Sequence, residues 1–280
     1  MSDYIRQNTV NMKFKNGESW AILSPIEQSI KAKIEAIGTP LRDWDIKINR
    51  GVLTGLNEAF IIDRSTRERL IAQDPKSAEI IRPILRGKDI KRNAYNFSDQ
   101  YVILAYFGSH KIIPTEYPAI HEWLKQFEEK LKKRGQCRYT SSGKPNPRAE
   151  YPGQHHWLEL DNNPRQEYMD DFNKRKIVWA DIAKEPTFVT IDEPIFFNNT
   201  CYMIVGAPSG LTDILNSKMI EWYFPKIATD IGNGGARYFK QFVELIRVPR
   251  TIEDRNYTDE DIFRIYGLNE EEIAYIHSVV

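Results

Sequence analysis

Helix-type and strand-type segments do not alternate along this 280-residue chain, and that order restricts its fold more than any other feature. Regular βαβ units, and the doubly wound parallel sheet built from them, require alternation. The expectation is an α+β fold: a mixed sheet with peripheral helices and short helices at the C-terminal end. Ser24-Pro25-Ile26-Glu27 reads as a helix start, because Ser24 can cap, Pro25 suits the first turn and Glu27 completes a capping box. Ile26, Ile30, Ile34 and Ile37 follow at near-helical spacing, and Gly38 ends the run. A shorter helix is expected from Ser65-Thr66-Arg67-Glu68. Another is expected from Thr115 and Pro118 to Gly135, with Ile120, Leu124, Phe127 and Leu131 as its apolar stripe. Ser209 opens a run carrying Leu211, Ile214, Leu215, Ile220 and Trp222 ahead of Pro225. Thr258-Asp259-Glu260-Asp261 and Asn269-Glu270-Glu271-Glu272 start two terminal helices separated by Gly267. Strand signals fall at Asp45–Ile48, Ala59–Ile62, Tyr101–Phe107, Lys176–Ile182, Phe188–Ile191 and Cys201–Val205. Segment 135–165 fits neither pattern, with Gly135, Gly143, Pro145, Pro147, Pro152, Gly153 and Pro164 interrupting it. Irregular runs of that length are functional loops or disordered ones.

The 33 aromatic residues argue against a disordered chain. No apolar run reaches the roughly 20 residues of a membrane helix, and the N-terminus lacks the apolar core of a signal peptide. Cys137 and Cys201 make no disulfide framework, so a cytoplasmic, reducing compartment is expected. A net charge of zero hides an asymmetry. Residues 1–140 hold 24 Lys and Arg against 17 Asp and Glu; residues 141–280 hold 15 against 22. Window 82–148 is the most basic, with 14 against 6, and tail 251–280 the most acidic, with 2 against 8. The basic window could serve a polyanion; solvated surface charge is the alternative.

Catalytic signatures are missing. The Asn/Asp-Pro-Pro-Tyr/Phe loop of an amino-directed DNA methyltransferase is not present: Asn146-Pro147-Arg148 and Asn163-Pro164-Arg165 lack the second Pro and the aromatic. There is no P-loop and no nucleophile elbow. His155-His156 has no further ligand at diagnostic spacing. Asp45-Ile46-Lys47 matches part of a metal-dependent nuclease pattern, and a strand start explains it as well. In Gly232-Asn233-Gly234-Gly235-Ala236-Arg237-Tyr238, Arg237 offers a phosphate donor and Tyr238 a stacking face beside a pliable backbone; a simple turn is the competing reading.

Four stretches, in order, carry a resemblance. They are Trp44–Ile62, with Ile48-Asn49-Arg50-Gly51-Val52-Leu53-Thr54-Gly55-Leu56-Asn57 at its centre; Ile81–Arg92, with Arg86-Gly87-Lys88-Asp89-Ile90-Lys91-Arg92; Lys176–Ala183; and Ile214-Leu215-Asn216-Ser217-Lys218. Together they resemble the TaqI-like C-terminal specificity domain, the target-recognition part of type IIG restriction–modification enzymes and adenine-specific DNA methyltransferases. The likeness runs over roughly residues 20–275. Ala180 stands where the family usually has Pro before the Asp of the third motif. The resemblance implies a fold of the target-recognition-domain type. It also implies a chain that reads double-stranded DNA in the cytoplasm while an upstream domain or partner does the chemistry. Residues 1–44 would then join an upstream catalytic domain, 45–250 form the recognition domain, and 251–280 an acidic helical extension. No catalytic or metal-binding residue and no cofactor are assigned to the chain itself; S-adenosylmethionine and Mg are expected in the complete enzyme, with a methyltransferase domain as partner in cis or in trans.

Candidate DNA contacts follow from residue chemistry. Arg50, Thr54 and Asn57 make a donor-rich turn, and Arg suits guanine as Asn suits adenine. Arg86, Lys88, Lys91 and Arg92 suit phosphates. For Arg50 and Arg86 an internal ion pair, with Asp89 or Glu58 for example, is the alternative. Base reading is expected in the irregular excursion, through Arg134, Arg138, Tyr139, Lys144, Arg148 and Trp157, with Arg237 and Tyr238 as further candidates. Glu128–Lys132 and Glu129–Lys133 are expected as i,i+4 pairs. Two other readings stand beside DNA recognition: a small metal-dependent nuclease, and a protein-interaction module docking on a methyltransferase through the acidic end.

Overall fold

The computed structural model describes residues 23–228 and 236–280, and its mixed sheets and helices make an α+β fold. The described residues form two compact units that interleave along the sequence: Lys47–Asp181 with Val189–Gly206, and 23–46 with Ile182–Phe188, 207–228 and 236–280.

The unit built on 47–181 and 189–206 holds two four-stranded sheets. In the first, Val189–Ile191, Lys176–Ala180, Cys201–Val205 and Lys47–Arg50 lie side by side, all antiparallel. Ile204 stands opposite both Ile48 and Ile177. Every residue of Lys176–Ala180 is buried, including Lys176 itself. Its ammonium is satisfied by the carbonyls of Glu193 (2.8 Å) and Lys174 (3.2 Å), and burial pushes its pKa down to about 8. The second sheet runs Phe196–Phe197, Ile81–Leu85, Gln100–Ile103, Ile61–Asp63, with the first pair parallel. Strand Ile81–Leu85 contains Pro83, which disguises it in the sequence; the parallel partner reaches only Ile84 and Leu85. Phe172 stacks on Phe196 at 4.4 Å and tilts against Phe197 at 4.8 Å, at the heart of the apolar core.

Local chemistry decides the helices of this unit. Asp63, not Ser65, caps Arg64–Gln73, its carboxylate accepting from the Thr66 N–H at 2.8 Å. The long helix expected up to Gly135 is broken into Ile113–Glu116, Pro118–Lys125, Glu128–Lys132 and Gly135–Arg138. Tyr117 precedes Pro118 and sits at φ −135°, because a residue before proline is pushed out of the helical region. Ile120, Leu124 and Leu131 still reach the core. Lys132 pairs with Glu128 as expected; Lys133 makes no ion pair among the described residues.

The other unit is mainly helical. Pro25–Ile37 carries the expected capping box of Ser24 and Glu27 and buries Ile30 and Ile34, while Ile37 stays exposed. Leu211–Asn216 and Lys218–Tyr223 replace one longer helix, because the Ser217 hydroxyl caps the second by accepting from the Ile220 N–H. The Asn216 amide brackets Phe188, accepting from its N–H at 2.9 Å and donating to its carbonyl at 2.7 Å. Thr258 and Asn269 cap Asp259–Ile265 and Glu270–Val279 through complete capping boxes. The acidic end is thus partly consumed in its own caps. Glu272 also accepts from Ser29 and pairs with Lys33 at 2.6 Å, so these helices belong to the body of the unit.

Candidate nucleic-acid interface

The 135–165 excursion is a projecting loop on a stiff neck. Arg134, 7% exposed, makes the neck. Its guanidinium donates to the carbonyls of Leu131 (3.1 Å), Thr54 (2.9 Å), Trp157 (2.8 Å) and Glu159 (2.8 Å), and to the Asp161 carboxylate at 2.9 Å. Asp161 also meets Nε2 of the fully buried His155 at 3.1 Å. Burial opposes a charge on His155. Asp161, the neighbouring Cys137 sulfur and the His156 carbonyl outweigh it and raise the pKa to about 9. The adjacent His156 behaves in the opposite way: burial, then the charge of His110, lower it to about 4. Glu159 is fully buried and accepts from the backbone N–H groups of Gly108, His110 and His156. Gly153 closes the neck, since a Cβ there would lie 2.1 Å from the Gln136 carbonyl oxygen, whose acceptor takes the Gln154 N–H.

Beyond the neck, residues 141–150 are all exposed. The tip is ordered by its own bonds. Thr140 and Lys144 close a turn through Gly143, at φ +77°, and the Asn146 N–H donates to the Pro152 carbonyl. Exposed Arg138 lies over the Tyr139 ring at 5.0 Å. Arg138, Lys144 and Arg148 make no ion pair among the described residues, so their charge faces solvent. Trp157 is half-buried against the core, with Lys132 over its ring at 5.9 Å.

Arg50 ends strand Lys47–Arg50. It donates to the Asn199 carbonyl at 2.6 Å, lies 3.8 Å from Asp181 and 5.6 Å from the Tyr202 ring centre, and remains half exposed. Beside it opens a cleft of about 460 Å³ whose walls are Gly51, Leu53, residues 161–165, Glu167, Tyr168 and Asn199, with Arg50 itself at the edge. Arg86 makes the internal pair, with Asp89 at 3.3 Å and Ser98 at 2.9 Å. The Asp89 carboxylate also takes the Arg86 N–H, so this motif builds a turn. Lys88 and Lys91 are exposed on that turn, and Arg92 is half-buried and engaged.

Three of the candidate contacts are engaged inside the protein. Arg134 spends its donors inside the protein. Thr54 is buried, its hydroxyl donating to Asn57 at 2.6 Å, which also occupies the Asn57 side-chain oxygen. Tyr238 is 3% exposed and stacks on Phe224 at 4.2 Å, so its ring is not free for a base. Arg237 is exposed on the short strand Ala236–Arg237, and 232–235 of that Gly-rich stretch lie outside the described residues. Asn163, Tyr168 and Asn199, which line the cleft, escaped the sequence reading. The turn signal Asn162-Asn163-Pro164 is the visible trace of Asn163 alone, and Asn162 and Asn163 both adopt positive φ, 66° and 47°.

No three His, Cys, Asp or Glu side chains among the described residues are grouped as a metal requires, and no described helix is long and apolar enough to cross a membrane. An exposed basic loop is thus held by a buried ion network on an α+β scaffold. Residues 82–246 match the model of the TaqI-like C-terminal specificity domain, more than half of the chain, and the chain belongs to that family. The matched span takes in most of the second motif and all of the third and fourth; the first, 44–62, lies outside it. No curated protein matches the sequence. Among solved structures, the type IIG restriction endonuclease BpuSI shares the fold, at 12% identity and a TM-score of 0.50, over 91% of this chain and 28% of that one. The type IIL restriction–modification enzyme MmeI, solved in complex with DNA, gives 12% identity and a TM-score of 0.47 over 74% of this chain and 25% of that one. The chain therefore spans about a quarter of the length of these enzymes.

Proposed function

We propose that this chain reads a specific double-stranded DNA sequence for a restriction–modification enzyme. In this reading it directs an adenine methyltransferase that uses S-adenosylmethionine and is supplied in cis or in trans; a Mg-dependent nuclease would belong to the same complete enzyme. The observation that carries the reading is the anchored loop. Within a chain of the specificity-domain family, it presents Arg138, Lys144 and Arg148 to solvent with no ion pair among the described residues, on a neck that fixes their base. Charged side chains on a rigid mount suit a groove reader, because phosphates position and base edges specify. Lys88 and Lys91 add phosphate contacts of the positioning kind.

The test is duplex binding by the chain, followed by fluorescence anisotropy across salt concentrations. With about six phosphates neutralised, affinity is expected to fall roughly 10³-fold between 50 and 200 mM salt. A flat salt response refutes the reading. The chain alone is expected to show neither methyl transfer nor DNA cleavage; cleavage that survives repurification would favour the metal-dependent nuclease, and methyl transfer that does so would overturn the assignment of the chemistry to another domain.

A further inference from the structure

The cleft beside Arg50 opens at the base of the loop that carries the proposed reading, away from its exposed residues 141–150. Leu53 and Tyr168 supply apolar and aromatic surface; Arg50 and Arg165 supply cationic donors; Asn163 and Asn199 supply amides; Asp161, its charge met by Arg134 and His155, and the exposed Glu167 add carboxylates. The volume, about 460 Å³, is that of a small-molecule site. Its walls are already fixed. The Tyr168 hydroxyl donates to the Arg50 carbonyl at 2.6 Å, and the Arg50 guanidinium donates to the Asn199 carbonyl. Gln136 holds Asn162 through both its amide atoms, 2.7 and 2.8 Å. Asn163 is tied by its NH₂ to the Gln154 carbonyl at 3.1 Å, while its Oδ1 is buried without a hydrogen-bond partner. Arg165 is exposed and makes no ion pair among the described residues. Two consecutive residues at positive φ are retained on this wall, and strained backbone of that kind gathers at ligand sites.

An apolar floor, the Asn199 amide and guanidinium groups at the wall fit a planar heterocycle carrying a phosphate. We infer that the cleft is a site for a single nucleotide unit, its base against Leu53 and Tyr168 and its phosphate toward Arg50 and Arg165. The inference rests on the DNA-reading role for one of its two sources, a nucleotide unstacked from bound duplex, an event that costs least at a mismatch. The other source is free mononucleotide.

The experiment uses the full chain in two arms. In the first, duplexes carrying 2-aminopurine at successive positions are titrated, with anisotropy reporting binding and fluorescence reporting unstacking. In the second, dAMP is titrated and followed by saturation-transfer NMR. Leu53→Trp fills the cleft, and Arg165→Ala removes an exposed cation; only variants that melt with the parent are compared. A fluorescence rise at one position, lost in both variants, supports a nucleotide drawn from DNA. Stacking of one base is worth roughly 1–3 kcal/mol, so Leu53→Trp should weaken that complex roughly 5- to 150-fold. Binding of dAMP that both variants weaken, with no fluorescence rise, supports the free source. If duplex binds, no position brightens and dAMP does not bind, the cleft is not a nucleotide site while the DNA-reading role stands. If duplex fails to bind at low salt and dAMP also fails, both fall together. Should Leu53→Trp not fold, Arg165→Ala decides by the same readings.

Discussion

Arg134 and Asp161 face each other across the mouth of the 135–165 excursion, with 2.9 Å between Nη1 and Oδ1. The pair is buried, and each partner is saturated by further bonds, Arg134 to four carbonyls and Asp161 to His155. Removing one member of such a pair leaves the other charged and unpaired in a dry site. Arg134→Ala should therefore cost about 3–5 kcal/mol of stability, read as a shift of the urea midpoint of the whole chain. A loss below about 1 kcal/mol, with weakened DNA binding instead, would return Arg134 to the surface.

The neck should also respond to pH, with opposite signs at its two histidines. His155 has its pKa raised to about 9 in the fold. The stability it contributes is complete below its unfolded value, about 6.5, and is lost as pH rises through 9. His156 is lowered to about 4, so its contribution is complete above about 6.5 and is lost as pH falls through 4. Amide exchange at Gln154 and Leu160, corrected for intrinsic rates, is expected to be slowest near pH 6.5. His155→Gln should flatten the alkaline limb and His156→Gln the acid limb. Monotonic protection through this range would contradict both assignments.

Capping chemistry was legible in the sequence because it is local. Ser24, Thr258 and Asn269 each cap the expected helix, since a cap and its third residue lie within one turn. What depends on distant partners was not legible. Arg134 and Arg138 are four residues apart and chemically alike, yet one is buried by Asp161 and three carbonyls from residues 54–159 and the other faces water. Tyr238 looked like a stacking platform, but the aromatic it stacks on is Phe224 of its own chain. Ile81–Leu85 hid behind Pro83, and the interleaved units could not be seen because their boundaries cut across sequence order. The expected i,i+4 pairs split likewise: Glu128–Lys132 formed and Glu129–Lys133 did not.

Lys88 and Lys91 stand on a turn that Arg86, Asp89 and Ser98 hold rigid. Both are exposed, and neither makes an ion pair among the described residues. Replacing both by Ala should leave stability within about 0.5 kcal/mol. Binding should weaken for all sequences about equally, and the log–log salt slope should shrink by roughly 1.8, about 0.9 for each phosphate contact. A change confined to the cognate site would make these lysines readers. Arg86→Ala is the contrasting variant: it should destabilise the turn, because the buried Asp89 carboxylate loses its guanidinium partner.

Specificity should reside in the loop tip. Arg138 and Arg148 are exposed and carry no internal ion pair, and their mount is fixed by Gly153 packed on Gln136 and by the Asn146–Pro152 bond. Truncating either side chain removes no buried contact, so the melting temperature of Arg138→Ala and Arg148→Ala should match the parent. A bidentate guanidinium contributes roughly 1–3 kcal/mol of discrimination against a wrong base, about 5- to 150-fold. Each variant, placed in the complete enzyme, is therefore expected to relax the choice at one position of the target and to leave the others intact. The competing outcome is a loop that touches only the phosphate backbone, in which case binding weakens at every sequence and the recognised motif does not change. Sequencing of methylated sites separates the two. An unchanged motif with normal activity in both variants would remove the loop as the reader and move the search to Arg50 and the exposed Arg237.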